Sequence, residues 1–403
     1  MEAANASQSE LRGNENPAAL RALAAAYFFA FACIGVQMPL VAPALLAAGY
    51  SAAWIGGMWA LRSLTGTLSP TLWGTLADRF GDARPYTIAS LGIGGVLFAA
   101  LGFTSGRISA LFLFALYGLV AGASMTLLDG MTLTALGKEK HRYGNIRLYG
   151  ALGFGVAALF TTSAVEFQWI PETSDVVFPI AGFFSVAGAI AVFRVPRLQR
   201  PKLAKWSQLK SALQQRELIG LGLLSLLHWS SHGAYSSLIA PLGEVCGLGR
   251  HSIGIAMGVA IVFEVWMMRS SGAALRRFGA KSLLVWISVL TCVRWLGLAL
   301  SLNGTAFIAW QALHGVSFGL FYPSVVAILA VRVPEEARQS VQGLFGSLFF
   351  GVGGAIGTGV AGAVFEQSGA LATWWAMVMF SLAALGVSLA LTRIQVSGQS
   401  GTG

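Results

Sequence analysis

Gly74-Thr-Leu-Ala-Asp-Arg-Phe-Gly81 and Gly272-Ala-Ala-Leu-Arg-Arg-Phe-Gly279 are two copies of one pattern, set 198 residues apart in a chain of 403. Each copy ends a long apolar run, and each has Arg-Phe before its last glycine. Outward from these copies, two further matches keep nearly the same offset. Leu116-Tyr-Gly118 with Gly122 aligns with Leu313-His-Gly315 with Gly319. Leu148-Tyr-Gly150 with Gly155-Val156 aligns with Leu344-Phe-Gly346 with Gly351-Val352. Three matches in one register imply a duplicated chain. Paired repeats of this size place a site between the halves, near mid-depth.

Composition says what surrounds the repeats. The chain is 56% hydrophobic and 10% charged, against about 25% charged in soluble domains. So few charges cannot cover a water-facing surface of this size, so the surface faces lipid. The net charge of +10 does not point to nucleic acid, because the basic residues fall in short gaps between apolar runs. Cys33, Cys246 and Cys292 are far apart and form no CxxC spacing, which excludes a disulfide framework and a zinc site of that kind. No cofactor is implied. The polar start Met1–Pro17 lacks the basic opening and short apolar stretch of a cleaved leader.

A crossing helix needs about 20 apolar residues. Twelve stretches qualify: Leu20–Ala48, Trp54–Leu76, Pro85–Phe103, Ile108–Leu136, Asn145–Ala164, Val176–Phe193, Leu218–Val245, Ser252–Leu275, Lys281–Ser301, Ala306–Val331, Ala337–Phe365 and Ala370–Arg393. No run alternates with period two, so a barrel is excluded. With both termini cytoplasmic, the cytoplasmic segments carry 20 Lys or Arg and the external loops only Arg107 and Arg250. This asymmetry fixes the orientation. The expected fold is an all-α membrane protein of twelve helices in two pseudo-symmetric six-helix bundles. The expected divisions are a disordered tail 1–17, a first bundle 18–193, a basic cytoplasmic linker 194–217, a second bundle 218–394 and a disordered tail 395–403. The linker holds Pro196, Pro201 and Trp206, and its charges suit anionic headgroups. A multi-pass monomer in a cell inner membrane is expected.

At this point the chain resembles the major facilitator superfamily. Gly74–Gly81 is similar to the signature loop between that superfamily's second and third spans. A closer likeness, to the phenylpropionate permeases and the related lactose permease and nucleoside symporters, is carried by several segments. These are Arg147-Leu148-Tyr149-Gly150-Ala151-Leu152-Gly153-Phe154, Glu264, Arg294-Trp295, Gln311-Ala312-Leu313-His314-Gly315 with Phe318-Gly319, and Gln342-Gly343. The resemblance implies alternating access, and a conformational latch at Gly74, Asp78, Arg79 and Gly81. It places Gln311 among the solute contacts. Two departures stand out: Ala151 replaces the usual serine, and Ser317 replaces the proton-carrying glutamate of lactose permease. Drug exporters of the superfamily carry an Arg in span four and a Gly-Pro motif in span five, and neither is here.

Charges inside spans need reasons, since each costs about 2.5–3.5 kcal/mol on insertion scales. Arg62, Arg147, Arg269, Arg294, Asp129 and Glu264 qualify, with His228, His232 and His314 beside them. At about 1.5 Å per residue, Arg62, Arg294 and His314 lie at similar depth, with Glu264 close to mid-bilayer. These four are expected to share one level of a central chamber. Asp129 and Arg147 are expected to pair across a helical hairpin, while Arg269 reaches back to the headgroups. Pairing Asp129 with Arg147 leaves Arg62 and Arg294 facing Glu264. Protonation of Glu264 then frees two guanidiniums for a carboxylate. Glu264 and Asp129 are the candidate proton carriers. Arg62, Arg147, Arg294, Trp295, His314, His232, Tyr235 and Gln311 are the candidate solute contacts. His228 and His232, four residues apart, share a helix face. No carboxylate or cysteine joins them at ligand spacing, so hydrogen bonding is favoured over metal.

The expected activity is therefore proton-coupled symport of a small organic solute, best matched by an aromatic or other monocarboxylate. Its partners are the solute, the proton and lipid. The alternatives are symport of a neutral sugar or nucleoside, export, or a sensor without turnover. An enzyme is not expected, because no nucleophile–base pair appears on the spans.

Overall fold

The computed structural model describes residues 17–137, 139, 142–197 and 214–394. Every regular element among them is helical. In chain order these are α1 (Pro17–Ala47), α2 (Ala52–Phe80), α3 (Arg84–Leu101), α4 (Arg107–Ala121), α5 (Ser124–Leu136), α6 (Tyr143–Glu166), α7 (Ser174–Val192) and α8 (Arg216–Ser230). Then come α9 (Gly233–Val245), α10 (Arg250–Phe278), α11 (Ala280–Leu300), α12 (Gly304–Trp310), α13 (Ala312–Gly319), α14 (Phe321–Arg332), α15 (Glu335–Gly346) and α16 (Gly354–Arg393). A π-helical turn, Ser347–Gly353, joins α15 to α16. The expected tails before Pro17 and after Ile394 lie outside the described residues, as does the middle of the expected linker with Trp206.

Nine helical stretches among the described residues are long and apolar enough to cross a membrane. The last, Val341–Arg393, crosses twice. Gly369 leaves the helix at a φ of 75°. Glu366, just before it, meets the start of α2, whereas Ile394 meets Lys281 at the opposite, basic face. With α2 and the α8–α9 pair, the described helices accommodate the twelve expected spans.

Several spans expected as single helices are interrupted at mid-depth. The fourth breaks at Gly122–Ala123, the seventh at Ser231–His232, and the tenth at Gln311 and again at Leu320. The eleventh holds the π turn. A break frees backbone groups from their partners, and a membrane tolerates that only beside protein or a cavity. Prolines do not account for these breaks. Pro39, Pro43 and Pro70 sit inside the uninterrupted helices α1 and α2. Pro241 is linked to a distortion, but at Leu238 (φ −134°, ψ 20°), one turn earlier. Pro323 lies in the first turn of α14, where its missing N–H has no partner to lose.

Packing differs between the two ends of the molecule. Toward the face away from the linker (the distal face), one apolar cluster runs through both bundles and includes Trp59, Tyr117, Tyr235 and Trp295. There α2 and α16 touch backbone to backbone: a Cβ on Gly56 would stand 2.8 Å from Gly362 Cα. Likewise a Cβ on Gly254 of α10 would stand 3.2 Å from Leu159 Cα of α6. Small residues permit such approach. Toward the basic face the cluster divides. Leu23, Tyr27 and Leu127 belong to a core within the first bundle, and Leu221, Phe321 and Phe345 to one within the second. Gly74, Gly343 and Gly346 have nothing within 4 Å of where a Cβ would stand. The molecule is sealed distally and splayed on its basic face.

Candidate functional site

The second bundle holds a buried polar chain built on α10, α11 and the α12–α13 break. Arg294 is completely buried. Its Nη2 donates to Gln311 Oε1 at 2.8 Å, and its Nη1 lies 3.2 Å from His314 Nδ1. A guanidinium only donates, so His314 Nδ1 is the acceptor and Nε2 carries the ring proton. That Nε2–H faces Glu264 Oε2 at 3.9 Å. Tyr235 and Trp295 flank the guanidinium, their ring centres 5.0 and 4.2 Å from its carbon. Glu264 reaches this chain because α10 and α13 pack without side chains between them. A Cβ on Gly315 would stand 2.6 Å from the Glu264 nitrogen, and one on Gly319 2.8 Å from its carbonyl oxygen. The Gln311 break serves the same group: its amide nitrogen donates to Phe307 O at 3.1 Å while its oxygen holds Arg294.

The histidine pair acts by hydrogen bonding. His228 Nε2 donates to Ser317 O at 2.9 Å, and His232 Nδ1 donates to His228 O at 2.8 Å. His232 Nε2 lies 3.2 Å from Ser317 Oγ. No group of three His, Cys, Asp or Glu among the described residues is arranged to hold a metal ion. Trp295 donates to Ser231 Oγ at 3.3 Å and stacks on Trp374.

Arg62 is placed elsewhere. It lies in the first bundle with its guanidinium carbon 5.2 Å from the ring centres of both Trp59 and Tyr117. Among the described residues no hydrogen bond or ion pair joins it to Arg294, His314 or Glu264, although similar depth suggested one level. Depth along a helix does not specify facing. Gly118 and Gly122 bring α4 against α2 at Arg62 and Gly66, so its side chain turns toward α4. Neither Arg62 nor Arg294 has a carboxylate within 4.0 Å among the described residues, and the Nε of each is buried and unpartnered. The Tyr235 hydroxyl and the Trp59 indole N–H are likewise buried and unpartnered. Such groups call for a bonding partner.

A second cluster lies near the mouth of the splayed side. Asp129 accepts from the hydroxyls of Tyr27 at 2.5 Å and Tyr143 at 2.8 Å, and Arg147 Nε stands 4.0 Å away. The guanidinium lies over Phe31, 4.0 Å from its ring centre. Arg147 lies on α6, which packs across the bundles on α10, the helix of Glu264: a Cβ on Gly155 would stand 3.8 Å from Ile261 Cγ2. Glu264 is thus on the second-half helix that meets the helix of Arg147, with the His314–Arg294 chain beside it. Arg269 is exposed.

In the signature loop, Gly81 ends α2 at a φ of 68°, and its repeat mate Gly279 ends α10 at 73°. The repeated glycine is a helix stop that an L side chain would strain. Arg79 is exposed, 5.8 Å from the Phe80 ring centre, and Gly74 faces open space. The Asp78 side chain lies outside the description.

Sequence reasoning passed over Gln37, Tyr27 and Tyr143. Gln37 is buried and donates to Tyr117 Oη and Cys33 Sγ, both at 2.9 Å. The repeat carried a signal for it. Gln37 precedes Tyr235 by 198 residues and Tyr117 matches His314, and Tyr235 and His314 stack 4.5 Å apart. Each half thus pairs the same two positions beside an arginine, half-buried Arg62 in the first and buried Arg294 in the second.

The model of the MFS_1 like family matches residues 20–376. The chain belongs to this family of major facilitator transporters. It is 26% identical to the maltose permease of Geobacillus stearothermophilus over 349 residues, covering 85% of this chain and 86% of that one. It is 24% identical to the probable 3-phenylpropionic acid transporter of Escherichia coli (strain K12) over 377 residues, covering 91% and 96%. The crystal structure of the nucleoside transporter NupG superposes with a TM-score of 0.79 at 17% identity, covering 93% of this chain and 99% of that one. This chain is accordingly a multi-pass membrane transporter for small solutes and not an enzyme.

Proposed function

We propose that this transporter carries a small monocarboxylate together with a proton by alternating access, with Glu264 as the proton site. The observation that carries the reading is the setting of Glu264. It is 13% exposed and lies 3.9 Å from His314 Nε2, with no Lys or Arg nitrogen within 4.0 Å among the described residues. A carboxylate placed between two arginine-bearing groups, yet bonded to neither, can gain and lose a proton without breaking a fixed pair. When Glu264 takes a proton, Arg147 and Arg294 lose a counter-charge, and an anionic solute restores it. Proton and monocarboxylate then enter with no net charge. This avoids about 2.3 kcal/mol per 100 mV of opposing potential. Asp129, held by two tyrosines beside Arg147, is the second proton candidate. Tyr235 Oη and Trp59 Nε1 supply further donors, and the basic face is cytoplasmic, so the described state opens inward. In proteoliposomes, Glu264→Gln is expected to lose pH-driven uptake and keep solute exchange. Retention of pH-driven uptake rejects the assignment.

One observation favours a neutral sugar or nucleoside instead. One N–H of each Nη of Arg294 is already bonded, to Gln311 and His314, so the guanidinium has neutral partners without a solute carboxylate. Arg294→Lys with unchanged solute affinity would select that reading.

A further inference from the structure

The distal seam consists mainly of glycines and apolar side chains, which attract without direction and slide at little cost. Directional charged contacts across it occur at two opposite corners. At the α6–α10 corner, Arg250 opens α10 in the second half. Its Nε and Nη2 grip Glu172 of the first half at 2.5 and 2.8 Å, and its Nη1 pairs with Glu244. Its backbone N–H donates to Glu166 Oε2 at 2.7 Å. Beside it, His251 Nδ1 and Ser163 Oγ lie 2.8 Å apart. The short connection from α6 to α7 is folded to present both acids. Gln168 adopts a φ of 59°, and the N–H groups of Trp169 and Ile170 both turn back to Ala164 O, at 2.8 and 3.2 Å. The connection folded back in this way sets Glu172 beside Glu166, and both meet Arg250.

At the α2–α16 corner the device is a helix cap. Glu366 accepts the Ala53 N–H at 2.7 Å. Ser51 is the N-cap of α2. The first N–H groups of a helix lack internal partners, and the helix dipole favours an anion there. One carboxylate of the second half thus completes a helix of the first.

We propose that the Arg250 node with Glu166 and Glu172, and the Glu366 cap on α2, form a two-corner latch that sets how often the distal face opens. Separating the halves there must break a bidentate ion pair at one corner and uncap a helix at the other. The basic face needs no such step to stay open. The latch is independent of which solute is carried.

The test reads opening directly. Thr358, buried at the seam against Gly56, is replaced by Cys after Cys33, Cys246 and Cys292 are changed to Ala. Labelling by a membrane-impermeant maleimide is then timed. Arg250→Ala and Glu172→Gln are each expected to speed labelling roughly five-fold or more, as loss of a charge-assisted pair allows. The double variant should be no faster than the faster single, because both remove one contact. Glu366→Gln, at an exposed position that spares the fold, should speed labelling and multiply with Arg250→Ala. Unfolding midpoints measured alongside separate opening from unfolding. Unchanged labelling in Glu366→Gln and Glu172→Gln overturns the latch, and so does a multiplicative effect of Arg250→Ala with Glu172→Gln.

Discussion

Arg294 carries the residue-scale argument. Burying a guanidinium without a carboxylate is costly unless its donors are bonded, and here Gln311 and His314 take two of them. A lysine has no planar fork to reach both. Arg294→Lys is therefore expected to weaken monocarboxylate binding about ten-fold or more, in the range of roughly 1.5–3 kcal/mol for a bond to a charged group. Thermal shift across solute concentrations checks this. Gly315→Ala tests the seating of Glu264. Its Cβ would stand 2.6 Å from the Glu264 nitrogen, against backbone that cannot turn aside. We expect a loss of about 1–3 kcal/mol, seen as a lower unfolding midpoint. The charges of this site were legible in the sequence because each breaks an apolar run. Their partners were not. Tyr27 bonds Asp129 across 102 residues, and a tyrosine in an apolar span looks the same whether it packs or bonds.

At the scale of elements, the spans were legible because hydropathy and loop charge both report where helices end. The internal breaks were hidden, since every residue around Gly122, Ser231 and Gln311 sits in an apolar stretch whichever way the backbone runs. Prolines do not mark the breaks: α1 and α2 run on across Pro39, Pro43 and Pro70. The signature glycines separate into two kinds. Gly81 has a φ of 68°, whereas Gly74 is helical with nothing within 4 Å of a Cβ. Gly81→Ala should cost about 1 kcal/mol for the left-handed backbone. Gly74→Ala should instead raise stability by a few tenths to about 1 kcal/mol, as alanine suits a helix interior better. Paired unfolding midpoints in one detergent decide this. The reverse order would mean that Gly74 is pressed against a neighbour.

At the scale of the whole molecule, duplication was readable from three short matches, but the access state was not. A sequence serves every state of the cycle, and only packing distinguishes them: one core spans both bundles distally, and separate cores lie toward the basic face. The latch adds a pH dependence to the distal seal. The Ser51 hydroxyl and then the Ala53 N–H hold the Glu366 carboxyl below its ordinary value. A depressed value means the contact is complete above the ordinary carboxylate range and is lost as pH falls through the lowered value. Distal labelling at Thr358→Cys should therefore rise with acidification, and Glu366→Gln should remove that part of the rise.

The pairing of one proton with one anion is tested most directly by recording charge and solute together in the same liposomes. With an inward proton gradient, monocarboxylate uptake should accelerate, protons should enter with the solute, and no current should accompany the flux. Uptake that ignores the proton gradient, or a current that grows in proportion to uptake, would contradict the coupling assigned to Glu264.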